Sequence, residues 1–380
     1  MLKLITEPAD GAAPLLALIK SAKRSVEMAI FRFDRKDIET ALKAAAARGV
    51  KVTALIAFAN RGGEQVLRKL ELRFLAAGIT VARTSDDLIR YHGKYILIDR
   101  RVLCVLSFNF TRLDIDRSRG FGIVTTNPQW VREASRLFRA DCTRSKYATK
   151  MDTFVVSPAN SRQALDAFLK GAKKELLIYD PKISDKEMLR VLQARAKAGV
   201  EIKVIGSVAK RGQIDGHTLG RRLHTRTIIR DRRQAFIGSQ SLRTLELDSR
   251  RELGLIVQDA RAVHALIATF ESDWADADAK NTSALATQEA LPDEARADSQ
   301  PRAREVTARE TEKAVRVFTK ELDPLTESVK KAVRNAVAKA GEDVLNDKDV
   351  KDTMKKVVKK AVKEAVKEAV QDAQHAQHQR

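Results

Sequence analysis

Tyr91–Asp99 reads YHGKYILID and Leu223–Asp231 reads LHTRTIIRD. Each stretch sets a histidine, a cation two residues later and an aspartate seven residues after the histidine around an apolar run. In an extended chain residues two apart share a face. His92 is therefore expected beside Lys94, and His224 beside Arg226. The apolar run anchors each strand, and Asp99 or Asp231 opens the turn at its far end. An imidazole next to a fixed cation is suited to a phosphate: the cation supplies charge, and the histidine attacks or moves a proton. One such segment is explained equally well as an edge strand with solvated polar ends. A second copy with the same flanks is not.

The flanks do repeat. Ser107 and Asn109 in LSFNFT align with Ser239 and Ser241 in GSQSLR, and FGIVTT from Phe121 aligns with LGLIVQ from Leu253, all at a constant offset of 132. Upstream the offset is 150: EPAD at Glu7 matches SPAN at Ser157, IKSAKRS matches LKGAKKE, and Gly49-Val50 matches Gly199-Val200. The first copy thus carries 18 extra residues, placed in Gln65–Asp86 and read as a helix followed by the strand GITVAR. Two copies of one α/β unit, the second trimmed, point to duplication around a shared site. Each copy reads helix, strand, helix, strand, motif strand, a further strand and a closing helix (Trp130–Cys142, then Ala262–Trp274).

The paired HxKxxxxD-type motifs, their serine-containing follow-on segments and a later acidic residue before an apolar strand resemble the phospholipase D superfamily over roughly residues 1–275. The resemblance implies two repeated α/β sandwich units forming one pseudo-twofold body. The expected units are a first repeat over 1–147, a second over 148–281, a linker over 282–310 and an amphipathic helical tail over 311–380. It further implies a phosphodiesterase working through a phosphohistidine, without cofactor or metal. His92 and His224 would be the reacting pair, with Lys94 and Arg226 as clamps on phosphate oxygens. Ser107, Asn109, Ser239 and Ser241 would be secondary phosphate or orienting groups, and Asp99 and Asp231 structural. The acid that orients a histidine is present as Glu252 in SRRELG. Gly120 in RSRGFG takes the equivalent first-copy position, with Asp114 and Asp116 nearby as substitutes. The second motif departs from the pattern at Arg226 and Ser241. The more intact first motif makes His92 the expected nucleophile and His224 the general acid; which histidine Glu252 reaches stays open.

The chain of 380 residues carries a net charge of +21, and residues 1–280 alone hold 51 Lys and Arg against 32 Asp and Glu. Arg221, Arg222, Arg226, Arg230, Arg232 and Arg233 cluster around the second motif, the footprint expected for a polyanion. An arginine-rich composition without function is the bland alternative. Two cysteines, Cys104 and Cys142, provide neither a disulfide framework nor zinc spacing. With no long apolar run or secretory leader, a cytoplasmic protein is expected, with attachment to a membrane surface as the alternative. The tail repeats Val357-Val358, Ala361-Val362, Ala365-Val366 and Ala369-Val370, an amphipathic pattern suited to self-association or packing on the body. Three functions compete: a nuclease-like phosphodiesterase, a phospholipase D or phosphatidyltransferase (cardiolipin synthase-like) acting on anionic phospholipid, and a non-catalytic polyanion binder.

Overall fold

The computed structural model describes residues 2–58, 64–209 and 214–289. The expected tail over 311–380 and the linker beyond residue 289 lie outside the described residues. The first repeat runs β1 (Leu2–Glu7), α1 (Ala13–Ser21), β2 (Ser25–Ile30), α2 (Lys36–Ala47), β3 (Lys51–Ile56), α3 (Glu64–Leu75), β4 (Thr80–Arg83), β5 (Arg90–Tyr91), β6 (Tyr95–Ile98), β7 (Val102–Leu106), α4 (Arg112–Arg117), β8 (Ser118–Thr125) and α5 (Pro128–Thr143). The second runs β9 (Phe154–Val156), α6 (Ser161–Lys170), β10 (Glu175–Ile183), α7 (Lys186–Lys197), β11 (Glu201–Val208), β12 (Gly216–His217), β13 (Arg222–Leu223), β14 (Arg226–Arg230), β15 (Gln234–Gly238), α8 (Thr244–Asp248), β16 (Arg250–Arg251), β17 (Leu253–Val257) and α9 (Ala260–Glu289).

The strands form two mixed sheets of the same order. One runs β1-β8-β7-β6-β2-β3-β4 and the other β9-β17-β15-β14-β10-β11-β12. Pairing is parallel from β2 to β4 and from β10 to β12, and antiparallel elsewhere along each path. The extra residues of the first repeat hold α3, while β4 has its counterpart in the two-residue β12, parallel to β11 as β4 is to β3. The opening strands β1 and β9 and the short helices α4 and α8 escaped the periodicity reading, because each is short or lacks a clear apolar face.

Alternation along the motif strands sorts side chains into separate cores. Ile96 and Ile98 join the cluster beneath α1 and α2, whereas Tyr95 and Leu97 join the one shared by both sheets, α5 and α9. In the second repeat Ile228 faces the cluster under α6 and α7, and Ile229 faces the shared one. Burial on both faces explains why these strands read as continuous apolar runs. Cys104 is buried in the first of these cores.

Equivalent details recur at the ends of the elements. Gly49 and Gly199 follow α2 and α7 with φ of 86° and 85°, a left-handed exit that glycine adopts without steric cost. Both Glu7-Pro8 and Ser157-Pro158 are cis. Asp99 accepts the backbone N–H groups of Lys23, Arg24 and Ser25 at 2.7–3.2 Å, and Asp231 those of Lys173, Lys174 and Glu175 at 2.7–3.1 Å. Each aspartate is far from its histidine and ties the motif turn to the start of the neighbouring strand.

Two buried ion pairs cross between the repeats. Arg119 donates to Asp273 on α9 at 2.6 and 2.8 Å and to the Glu7 carbonyl at 2.7 Å. Arg251 donates to Asp141 on α5 at 3.1 Å and to the Ser157 carbonyl at 3.2 Å. Exchanging the repeats maps one set onto the other. One boundary differs from expectation: α9 continues to Glu289, past the linker start at Thr282. Its later residues are alanine-rich and meet no proline until Pro292, so nothing local stops the helix.

Candidate active site

Strand exchange builds the site. Just ahead of His92, β5 pairs in parallel with β16 of the second repeat (Arg90 with Arg250, Tyr91 with Arg251). Just ahead of His224, β13 pairs in parallel with the start of β8 in the first repeat (Arg222 with Ser118, Leu223 with Arg119). These are the same contact with the repeats interchanged. The backbone extends it: His92 N–H donates to the Arg251 carbonyl at 2.7 Å, and His224 N–H to the Arg119 carbonyl at 3.0 Å. His92 and Lys94 therefore sit in an irregular link between β5 and β6, not inside one regular strand as alternation predicted. The cations stabilise that link. Lys94 Nζ donates to the His92 carbonyl at 2.6 Å, and an Arg226 guanidinium nitrogen to the His224 carbonyl at 3.0 Å.

His92 lies buried with Nδ1 2.8 Å from Glu252 Oε2 and its ring edge-on to Phe31, centroids 4.5 Å apart. A carboxylate can only accept here, so Nδ1 carries the hydrogen and the Nε2 lone pair is free. His224 Nδ1 is 3.1 Å from the Ser107 carbonyl, which likewise demands Nδ1–H. Its Nε2 lies 3.4 Å from both Asn109 Nδ2 and Asp114 Oδ2. Burial pushes both imidazoles well below their ordinary pKa. Lys94 and Arg226 push each of them the same way, and Asp114 opposes at His224. Both rings are thus neutral at physiological pH, and each feels the cations of both motifs. Burial also drives the Lys94 amine well below its usual range, with Glu252 opposing. It raises Glu252, against Lys94.

The remaining expected groups divide. Ser107 and Ser239 face the backbone: Ser107 Oγ accepts from Phe121 N–H at 2.9 Å and Ser239 Oγ from Leu253 N–H at 3.2 Å. Their hydroxyl oxygens link adjacent strands. Asn109 stands in the site, held by Asp114 at 2.7 Å through Nδ2. Ser241 Oγ accepts from Arg226 Nε at 3.2 Å, and its N–H donates to Glu246 at 2.7 Å. Asp116 turns away to Arg35 at 2.6 Å, leaving Asp114 as the acid beside His224. Burial works to raise Asp114, but His224, Arg222 and the Asn109 N–H together hold it at about 2. A side chain at position 120 would have to displace Phe108, whose Cδ1 lies 2.8 Å from where its Cβ would stand. Sequence reading passed over Glu246, although it lies 132 residues after Asp114 and is likewise acidic.

The arginine cluster around the second motif comes apart in space. Arg221, Arg222 and Arg226 lie at the site end of β14, whereas Arg230, Arg232 and Arg233 lie at the other end, about 3.3 Å further per residue. Arg230 donates to the Phe168 carbonyl at 2.9 Å and stacks on the Phe168 ring. Arg232 pairs with Glu271 at 2.5 Å and Glu175 at 3.1 Å. Proximity in sequence overstated this footprint because the strand carries its two ends apart.

A family model described as "Cardiolipin synthase, PLD-like domain" matches residues 15–142. A mitochondrial cardiolipin hydrolase from Danio rerio is 30% identical over 128 residues, covering 33% of this chain and 53% of that protein. The chain spans about half the length of the curated relatives it matches. Polyphosphate kinase from Porphyromonas gingivalis shares the fold at a TM-score of 0.61 and 21% identity, over 71% of this chain and 50% of that one. Phosphatidylserine synthase from Haemophilus influenzae does so at a TM-score of 0.54 and 9% identity, over 72% and 85%. No helix of the described residues is long and apolar enough to cross a membrane. Sequence likeness covers the first repeat and fold likeness extends over both; the PLD-like domain matched over residues 15–142 is that of the phospholipase D superfamily.

Proposed function

We propose that the chain cleaves phosphodiesters through a covalent intermediate on His92, with nucleic acid as its substrate. The observation that carries the reading is the 2.8 Å contact of Glu252 with His92 Nδ1, which leaves Nε2 as a buried, neutral, oriented nucleophile. In the first step Nε2 attacks phosphorus, the bond to the leaving oxygen breaks, and that oxygen takes a proton from His224. His224 acquires this proton as the anionic substrate enters, favoured by Asp114. In the second step neutral His224 takes a proton from water, the water oxygen bonds phosphorus, and the P–N bond breaks to restore His92. Lys94 and Arg226 face the nonbridging oxygens as charge shifts onto them.

Nucleic acid is favoured by the charge of residues 1–280 and by arginines around the site, among them Arg32, Arg90 and Arg221. One observation favours phospholipid. Leu113 and Leu245, equivalent residues next to Asp114 and Glu246, are exposed, as are Phe58 and Ile89. The cardiolipin hydrolase relative fits that second reading. Incubating the purified chain in EDTA with labelled single- and double-stranded DNA, RNA and mixed phospholipid vesicles decides between them. Cleavage of a nucleic acid and not of lipid is expected. Release of lipid headgroup alone overturns the substrate assignment, and a strict requirement for a divalent ion overturns the two-histidine chemistry.

A further inference from the structure

Arg90 and Arg222 occupy equivalent positions, each two residues before its histidine, yet their surroundings differ. Arg222 is satisfied: one guanidinium nitrogen bonds both Asp114 Oδ1 and, at 2.9 Å, Ser118 Oγ. At the mirror position the acid is kept as Glu246, but Ser118 is replaced by Arg250, which takes Glu246 at 3.0 Å. Arg243 at 3.5 Å and Arg226 at 3.9 Å also face that carboxylate. Glu246 is thereby surrounded by other cations. Among the described residues the Arg90 side chain makes no hydrogen bond or ion pair. Its guanidinium carbon rests 5.4 Å from the centre of the Phe31 ring, the ring that His92 meets edge-on. Arg32 lies over the same ring at 5.7 Å and Lys94 at 5.5 Å. Burial, then Arg250, lowers Arg90 to about 10, with the Glu252 and Glu246 carboxylates opposing without touching it, so it stays charged at neutral pH with no carboxylate in contact.

We propose that Arg90, flanked by Arg32, forms a second anion subsite for the phosphate next to the scissile one in a linear phosphodiester chain, and that this subsite exists on the His92 side only. The inference rests on the phosphodiesterase reading above and names what that site selects. A partly buried guanidinium with no carboxylate in contact is costly. A phosphate matches its fork with two parallel N–H···O bonds. The equivalent place beside His224 is closed to an anion, because Asp114 already neutralises Arg222. A chain with several phosphates fills both the reacting position and the Arg90 subsite, whereas a diester with one phosphate leaves the subsite empty.

The test compares a labelled single-stranded 12-mer oligonucleotide with bis(p-nitrophenyl) phosphate. In Arg90→Ala the ratio of kcat/KM for the oligonucleotide to that for the small diester should fall at least tenfold, mainly through KM. The log–log salt slope of oligonucleotide binding should become shallower by about 0.7. Arg90→Lys should recover part of the ratio. Arg32→Ala, at an exposed position where folding is not at risk, should lower it two- to fivefold. An unchanged ratio in both Arg90→Ala and Arg32→Ala overturns the subsite. If the unmodified chain cleaves neither substrate, the phosphodiesterase reading fails. The subsite is then judged by fluorescence anisotropy with the same oligonucleotide: tenfold weaker binding by Arg90→Ala supports it, and equal affinity overturns it. If Arg90→Ala spares the oligonucleotide but releases the chain from phosphatidylglycerol vesicles, the assignment to a phosphodiester chain is overturned in favour of lipid.

Discussion

In the two repeats Asp99 and Asp231 close their turns with equivalent backbone donors, and Arg119 and Arg251 reach across to Asp273 and Asp141. His92 and His224 each donate to the backbone carbonyl at the same place in the opposite repeat. Against this stand Glu252 opposite Gly120, Arg226 opposite Lys94, Ser241 opposite Asn109, and Arg250 opposite Ser118. Groups that position the two histidines follow the pseudo-twofold, and groups that set charge around them break it. A symmetric phosphate pocket would give both imidazoles one role. Here one ring meets a buried carboxylate through Nδ1 and the other meets an acid near Nε2, and the proposed division into nucleophile and proton carrier rests on that difference.

The strongest way to break that division is at the histidines. His92→Ala and His224→Ala should each abolish turnover. A brief incubation of His224→Ala with an activated diester should still leave acid-labile phosphate on the chain, and His92→Ala should leave none. Label retained by His92→Ala and lost from His224→Ala would exchange the two roles. Next is Glu252→Gln. A glutamine can donate to Nδ1 and so select the wrong imidazole tautomer, with a loss in kcat of about 10²- to 10⁴-fold. Steady-state kinetics of Glu252→Gln beside Asp114→Asn would show whether His92 alone depends on Glu252.

The cross-braces should respond unequally. Asp273 takes two bonds from Arg119 and one from the Tyr179 hydroxyl at 2.7 Å, whereas Asp141 takes one from Arg251. Asp273→Asn should cost about 3–4 kcal/mol in urea unfolding, with Asp141→Asn costing less, since breaking a buried pair strands its partner. A smaller effect is expected at Glu7, which has no counterpart acid in the second repeat, where Ser157 stands. Burial raises Glu7 to about 8, and its Oε1 is without a partner. Between its ordinary value near 4.5 and about 8 the folded state holds a proton that the unfolded chain has released, so stability should decline as pH rises through that window. Glu7→Gln should remove this slope and raise stability at pH 7 by about 2 kcal/mol, read from melts at pH 5 and pH 7. The smallest change is expected from Arg232→Ala. It should leave oligonucleotide affinity within about threefold, because Arg232 is already paired with two glutamates at the end of β14 remote from His224.

The duplication was legible from residue order alone. Two constant offsets locate the insertion that holds α3, pair the histidines, and mark Glu252 against Gly120. Alternation placed Tyr95–Ile98 and Arg226–Arg230 as strands, and both are. It misplaced His92 and Lys94, because pairing with the other repeat ends the regular strand before Tyr95. The bonds that tie Ser107 and Ser239 to the neighbouring strands were not legible, because their partners Phe121 and Leu253 lie 14 residues further on.

What the linear chain determined was everything that depends on local spacing: periodicity, duplication, and the two histidines with their cations. What only the tertiary structure decided depends on groups distant in sequence. Glu252 reaches His92, 160 residues away, because β5 pairs with β16. Asp114 comes to 3.4 Å from His224, 110 residues away, while Phe108 fills the space above Gly120. Arg90 and Arg222 are alike in sequence and differ in charge balance because Arg250, and not a serine, stands beside Glu246. Spacing along a strand sets which face a side chain occupies. Which partner meets it there is set by packing between repeats, and the nearest charge in a buried site governs its protonation far more than its neighbours in sequence do.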